Sequence, residues 1–379
     1  MIDMRRNVSK GSAAAVAGLI AIALLFTMGA QTKTDLSIPA AARSFAAVSL
    51  PQGMSAMHQS PRGKTAVAAL PAYPPTEQDI SDDVSSGSAD LQPNVPVFER
   101  AMHSASAFSI VWLSDTQTMS YMRYPGRLQQ MGEWIASQRV KRNIRYVVQT
   151  GDAVENGFSD WQWAEFDTCY NEFKDELPFF AVAGNHDIDN QKSDYTTFLE
   201  RDYIANLPVE HAFENGRAAY ATVSAGGMKI LFLGAGWDSE VNAIPWMNKV
   251  LQRHAEYTAI LLFHSYIKQD GQFTVTGKQM FEQVVKPNPN VRLVLCGHVH
   301  GTGYRQDPID DTEDGLPDRN VHALLYNYQD WTVDTGQLRV LTLDPLKHDL
   351  TVMTYAPPVE RYYRDSHFAT VEFTIEDAF

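Results

Sequence analysis

The sequence predicts an α/β domain in which two sheets pack face to face. Three observations carry this expectation. From Phe108 onward, short runs rich in β-branched residues alternate with segments of helical spacing. Most strand candidates are apolar along their whole length, as strands covered on both faces are. Two strand-like runs, 219–223 and 228–233, flank Ala225-Gly226-Gly227 and read as a hairpin.

Taken in order, the folded part opens with a strand over 108–113. Leu128, Met131, Trp134 and Ile135 recur at helical spacing and predict a helix over 127–138. A strand over 144–148 follows. A helix over 161–173 carries an aromatic face of Trp161, Phe166, Tyr170 and Phe173. Then come a strand over 179–182, a helix over 195–204, the hairpin, a helix over 244–253, a strand over 259–263, a helix over 278–285 and a strand over 291–295. Three more strands are expected over 323–326, 338–343 and 350–355. The acidic stretch 307–318 reads as a solvated loop, with a surface calcium site as the alternative.

The segment ahead of this domain has a different character. Arg5, Arg6 and Lys10 precede an apolar run from Ala13 to Met28, and Met28-Gly29-Ala30 resembles a cleavage site. Residues 1–30 therefore read as a signal peptide or membrane anchor. Residues 31–106, interrupted by seven prolines from Pro51 to Pro96, read as a low-complexity linker. The domain is expected over 107–379, outside the cytoplasm, secreted or held by the amino-terminal segment.

A formal charge of −14 argues against a nucleic-acid-binding surface, which needs basic residues to displace counterions. A small anionic substrate remains compatible, because bound metals reverse the local field. Two cysteines, Cys169 and Cys296, exclude a disulfide framework.

The polar residues of interest all stand just after strands: Asp115 and Gln117, Asp152, Gly184-Asn185-His186-Asp187, His264, and Gly297-His298-Val299-His300. Ligands of open α/β sheets bind at the carboxyl ends of strands. Aspartates, amides and imidazoles gathered on one rim suit two divalent cations, the arrangement used for phosphoryl displacement at a metal separation of roughly 3.5–4 Å.

In this order and spacing, these motifs resemble those of the calcineurin-like metallophosphoesterases over about 109–301. The resemblance implies a four-layer α/β/β/α sandwich of two mixed sheets. It implies that Asp152 bridges two metals, that Asp115, Gln117 and His300 complete one, and that Asn185, His264 and His298 complete the other. His186 would assist the leaving group without binding metal, and Asp187 would orient its imidazole. A hydroxide bridging the metals would attack phosphorus in line. Gln117 stands where histidine is the family's commonest residue. Its harder oxygen favours manganese, with iron, zinc or cobalt as alternatives. Glu155 stands where purple acid phosphatases place a tyrosine ligand, which argues against that branch.

The resulting expectation is an exported phosphoesterase acting on mono- or diesters of small molecules or envelope polymers, with no protein partner implied. The alternatives are a manganese-dependent diphosphatase of the ADP-ribose or CDP-alcohol type, which the Asp-x-Gln motif resembles, and an inactive envelope protein of the same fold. Tyr121, Arg123, Tyr124, Asn156, Tyr266 and Tyr304 are secondary candidates for substrate contact. His211, His254 and His322 read as structural.

Overall fold

Six consecutive apolar-rich residues, Phe108–Leu113, form the first strand, β1, buried on both faces. In this computed structural model the described residues are 103–121, 126–188, 192–329, 336–363 and 372–379. The expected signal or anchor, the linker up to residue 102, and Arg123 and Tyr124 lie outside them.

After β1 come α1 (Gln117–Tyr121), α2 (Arg127–Gln138), β2 (Ile144–Gln149), α3 (Asp160–Phe173) and β3 (Phe179–Ala181). Two short helices, α4 (Thr196–Leu199) and α5 (Asp202–Ala205), lead to β4 (Ala212–Phe213). The predicted hairpin follows as β5 (Ala218–Ala225) and β6 (Met228–Ala235), turning through Gly226 and Gly227, both at positive φ. The second half contains α6 (Glu240–Arg253), β7 (Thr258–Phe263), α7 (Val275–Met280), β8 (Val291–Cys296), β9 (Gly301–Ile309), β10 (Arg319–Asn327), β11 (Leu338–Asp344), β12 (Asp349–Ala356), β13 (Arg361–Tyr363) and β14 (Phe373–Ile375).

These strands make two sheets. One has the order β13-β12-β11-β1-β2-β3, with β14 also on β12; the other has the order β4-β5-β6-β7-β8-β10-β9. Within the first, β1, β2 and β3 run parallel, and β1 pairs antiparallel with β11. Within the second, β6, β7, β8 and β10 run parallel. The carboxyl ends of β1, β2 and β3 therefore share one edge of their sheet. Those of β7 and β8 share one edge of the other.

Alternation along each strand divides its side chains between two layers. Phe108, Ile110 and Trp112 join Phe232, Leu262, Leu295 and Tyr326 in the core between the sheets. Val111 and Leu113 point the other way, onto Leu128, Met131, Ile135, Trp163 and Phe166 of α2 and α3. The outer face of the second sheet packs Leu231, Leu233 and Leu261 on Met247 and Leu251 of α6 and on Val284. The arrangement is the expected four-layer α/β/β/α sandwich. Each fully buried Leu, Ile or Phe contributes about 1.5–3 kcal/mol relative to exposure, so three such layers hold the rim rigidly.

Several elements differ from the sequence expectation. The helix predicted over 195–204 is two, because Arg201 is extended at φ −66 and ψ 136. The helix expected from 244 starts at Glu240 and takes Pro245 within it. The helix expected over 278–285 starts at Val275, where the Thr274 hydroxyl caps the Gly277 N–H, and it ends in a π turn over Phe281–Val285. The stretch read as loop from 307 begins as strand: Asp307 pairs with Val321 in the β9–β10 ladder. Trp161 is 41% exposed, so the buried face of α3 runs through Trp163, Phe166, Cys169 and Phe173 instead. Both cysteines are free and buried.

The Ser104 N–H and hydroxyl both bond the Asp344 carboxylate at the end of β11. No helix among the described residues is long and apolar enough to cross a membrane.

Candidate metal centre

Each strand bearing a candidate ligand ends in an abrupt reversal. Asp115 and Asp152 both adopt φ 52, and His298 adopts φ 66. Non-glycine residues avoid this left-handed region at a cost of roughly 1–2 kcal/mol. Strain of this kind persists where surrounding structure over-determines it, and it clusters at functional sites. Here it bends the chain so that the aspartates meet the glycine-containing turns after β3 and β8.

Those glycines are required by close approach. A Cβ on Gly184 would overlap Asp152 Oδ1, and one on Gly297 would overlap Asp115 Oδ2. The two motif glycines thus admit the two carboxylates, which are 3% and 1% exposed for Asp115 and Asp152.

Asp152 lies at the middle of the cluster. Its Oδ1 accepts the His186 N–H at 2.9 Å. Its Oδ2 lies 3.1 Å from His264 Nε2 and 3.2 Å from Gln117 Nε2. His264 Nδ1 donates to the Thr150 carbonyl at 2.8 Å, which turns Nε2 toward the cluster. Asn185 Oδ1 reaches the same Nε2 at 3.2 Å. With Nδ1 protonated, the neutral ring presents a lone pair at Nε2, and the two oxygens facing it are also acceptors. Three electron pairs converging on one point need a proton or a cation between them. Ligand atoms of Asp152, His264 and His298 lie within 4.8 Å of one another.

Asp115 is held by a second set of bonds. Its carboxylate accepts the His298 N–H at 3.0 Å, the Asn327 amide at 2.8 Å and the Ser114 hydroxyl. Ser114 in turn accepts from the Thr150 hydroxyl, which accepts from Trp112 Nε1, so a hydrogen-bonded chain runs from the core to the carboxylate. His300 Nε2 meets the Gln329 amide nitrogen at 2.9 Å.

Burial raises the Asp115 carboxyl to about 8, against the pull of His264, and the neighbouring Asp152 charge raises it further. The Asp152 carboxyl is held below its usual range: burial opposes this, and His264 outweighs it. Burial would push His264 down, but Asp152 and Asp115 raise it to about 10. His298 is pushed down to about 4 by burial and then by the His264 charge. Two neighbouring buried carboxylates require positive charge beside them, from a protonated His264 or from bound cations.

Gln117 supplies the sharpest test of fit. Its side chain is fully buried, its Nε2 donates to Asp152, and its Oε1 is buried with no hydrogen-bond partner. An orphaned amide oxygen costs about 1–3 kcal/mol. A cation beside Asp152 removes that cost, so the residues present fit divalent metal.

Asp187 does not stand behind the His186 imidazole as expected. Its Oδ1 accepts the Val154 N–H at 3.1 Å and its Oδ2 the Gly184 N–H at 2.8 Å. Fully buried, it fastens the β3 turn to the loop after β2. Glu155 faces the imidazole instead: His186 Nδ1 lies 3.2 Å from the Glu155 carbonyl and 3.4 Å from its carboxylate. Asp187 is adjacent to His186 in sequence and Glu155 is 31 positions away, and the fold aims the distant acid at the ring.

Three further residues escaped the sequence reading. Asn327, buried at the end of β10, obeys the same strand-end rule as the other motifs and could have been found by it. Gln329 and Trp237 carried no such signal. The Trp237 ring lies 4.8 Å from His298 and 5.8 Å from His264, walling that side of the cluster. Tyr266 packs its ring against Phe263 and Phe273, and Tyr304 bonds His322.

The calcineurin-like phosphoesterase family model matches residues 108–302, more than half of the 379-residue chain. The chain belongs to the calcineurin-like phosphoesterase family. It is 34% identical over 293 residues to the uncharacterized protein YvnB of Bacillus subtilis, covering 74% of this chain and 22% of that one. It is 29% identical over 162 residues to a probable cyclic nucleotide phosphodiesterase of Moraxella catarrhalis, covering 40% of this chain and 56% of that one. The chain thus spans about a fifth to just over half of these relatives' lengths. Among solved structures, purple acid phosphatase from yellow lupin seeds is similar with a TM-score of 0.49 and 14% identity, over 72% of this chain and 54% of that one. The family match covers the strands and turns that carry Asp115, Gln117, Asp152, Asn185, His186, His264, His298 and His300.

Proposed function

We propose that this calcineurin-like phosphoesterase hydrolyses phosphate esters at two divalent cations that share Asp152. The observation that carries the reading is the convergence of Asp152 Oδ2, His264 Nε2 and Asn185 Oδ1, together with the buried, unpartnered Oε1 of Gln117, whose Nε2 lies 3.2 Å from the same Asp152 oxygen. Asp115, Gln117 and His300 would hold one ion; Asn185, His264 and His298 would hold the other; Asp152 would contact both. Divalent cations there would neutralise phosphoryl charge and activate water as the nucleophile.

The chain's own residues do the rest. The left-handed turns at Asp115, Asp152 and His298 fix the ligands before substrate arrives, so little reorganisation remains for the reaction. His186, 36% exposed at the rim beside the buried Asp152 and Asp187, is placed to protonate the departing oxygen. Its Nδ1 faces the Glu155 carbonyl and carboxylate, both acceptors, which favours a proton on Nδ1. Relatives named as probable cyclic nucleotide phosphodiesterases support diesters as the substrate class. The basic and apolar pattern of residues 1–30 supports action outside the cytoplasm.

A panel of a phosphodiester, a monoester and ADP-ribose, assayed with Mn²⁺, Zn²⁺ and Fe²⁺, tests the reading. Metal-dependent turnover of the diester is expected. Preference for ADP-ribose would favour a diphosphatase. No turnover with any metal would favour an inactive relative.

A further inference from the structure

His264 and His298, assigned above to the same ion, are held in different ways. Their ligand atoms lie within 4.8 Å of each other and of an Asp152 oxygen. His264 is buried, and its Nδ1 donates to the Thr150 carbonyl at 2.8 Å, so one hydrogen bond sets both its tautomer and its orientation. His298 is anchored through its backbone instead: its N–H bonds Asp115 and its carbonyl accepts the Asn327 amide. Among the described residues its ring makes no hydrogen bond. The torsion that turns an imidazole is broad. An unbonded histidine therefore presents one fixed nitrogen to a cation only where packing holds the ring.

Two rings pack against the His298 imidazole. Trp237 lies 4.8 Å away between centroids at 46°, and His264 lies 5.0 Å away at 64°. The indole is the larger, and its backbone is tied down on both sides. The Trp237 N–H bonds the Ala183 carbonyl at 3.0 Å, and its carbonyl accepts the Tyr195 hydroxyl. The Ser239 hydroxyl bonds the same Tyr195 oxygen at 3.1 Å, and the Arg217 guanidinium lies 4.5 Å over the Tyr195 ring. Gly236 admits this arrangement, since a Cβ there would come within 2.7 Å of the Tyr195 oxygen. Residues 236–239, after β6, are thus seated on the turn after β3 at Ala183, next to Gly184-Asn185.

We propose that Trp237 is a positioning residue for the metal centre: its indole holds the His298 imidazole in the ligating orientation, in place of the outer hydrogen bond that His264 has. This rests on the two-cation reading above. A packed aromatic ring suits the task because it restricts rotation without claiming either nitrogen of the imidazole. His264 lies farther from the indole, at 5.8 Å, and keeps its Thr150 bond when the indole is removed. The effect of losing Trp237 therefore falls on His298.

The test is a calorimetric titration of the metal-free full chain with Mn²⁺, in which wild type is expected to show two binding events. His298→Ala identifies the event that depends on that ligand. Trp237→Ala should weaken the same event by about 10- to 100-fold, as loss of an outer partner does, and leave the other unchanged. Trp237→Phe, which keeps a ring beside His298, should recover most of the loss. Tyr195→Phe, a milder change that frees the Trp237 carbonyl, should weaken the same event by a smaller factor. In the double variant Trp237→Ala/His298→Ala, binding should match that of His298→Ala alone, because the indole acts only through the imidazole. Wild-type affinity in Trp237→Ala would overturn the proposal. So would equal weakening of both events, no recovery in Trp237→Phe, or a loss that adds to that of His298→Ala. A wild-type chain that takes up no ion would instead overturn the two-cation reading, and the proposal with it.

Discussion

The Asn327 amide nitrogen lies 2.8 Å from Asp115 Oδ1 and 3.1 Å from the His298 carbonyl oxygen. One buried side chain thus ties the turn after β1 to the turn after β8, which belong to different sheets. Partners of this kind typically change metal affinity by about 10- to 100-fold when removed. Asn327→Leu is expected to weaken metal binding in that range, measured by titration of the metal-free chain, and to lower stability by about 1–3 kcal/mol. Unchanged affinity would remove Asn327 from the supporting structure of the centre.

Under the proposed two-cation reading, Gln117 should set which metals are preferred. Gln117→His replaces a hard amide oxygen with a borderline imidazole nitrogen and should move preference from Mn²⁺ toward Zn²⁺. Gln117→Leu should lower the affinity for one ion while the other is retained. Both outcomes are read from metal content after equilibration with a mixture of the two ions.

Glu155 and Asp187 should separate cleanly. Glu155→Gln is expected to lower kcat by about 10- to 100-fold on an alkyl diester, with a much smaller effect on a nitrophenyl ester, whose leaving group needs little protonation. Its metal content should stay the same. Asp187→Ala orphans the buried Gly184 and Val154 N–H groups and should reduce stability and metal content together. If the two variants behaved alike, the distinction between ring partner and turn fastener would be wrong.

Away from the centre, His322 on β10 sets a pH dependence of stability. Its Nδ1 lies 2.9 Å from the Tyr304 hydroxyl, its Nε2 is buried without a partner, and burial and then Arg292 push it down to about 4. The unfolded chain takes up a proton near pH 6.5 and the folded chain does not, so stability is full above that value. It falls as the pH drops from about 6.5 to 4, at a limiting slope of about 1.4 kcal/mol per pH unit. His322→Leu should flatten this part of the profile in denaturant melts taken across that range.

Much of this was legible in the sequence. β1, β2, β7 and β8 are mostly apolar, and such runs have few conformations that bury them, so strand positions and the strand-end rule led to the candidate residues that the fold gathers around Asp152. Long-range partners were not legible. Asn327 is 212 positions from Asp115, and only the parallel pairing of β8 with β10 brings it there. Asp187 was misassigned because adjacency in sequence favours contact with His186, whereas two orphaned backbone N–H groups claim its carboxylate. The last residues of β9, 307–309, were read as loop because Pro308 and charged neighbours suppress an apolar pattern, yet pairing along β10 overrides that local signal.

Asp152 is the residue on which the account depends, since its carboxylate meets both Gln117 and His264 and is the one proposed to contact both ions. The most direct test is metal content and diester hydrolysis measured together on wild type and Asp152→Ala, after loading with Mn²⁺. The account predicts two ions per wild-type chain with metal-dependent hydrolysis, and loss of both ions and turnover in the variant. A wild-type chain that binds no divalent metal, or an Asp152→Ala variant that keeps two ions and full turnover, would contradict it.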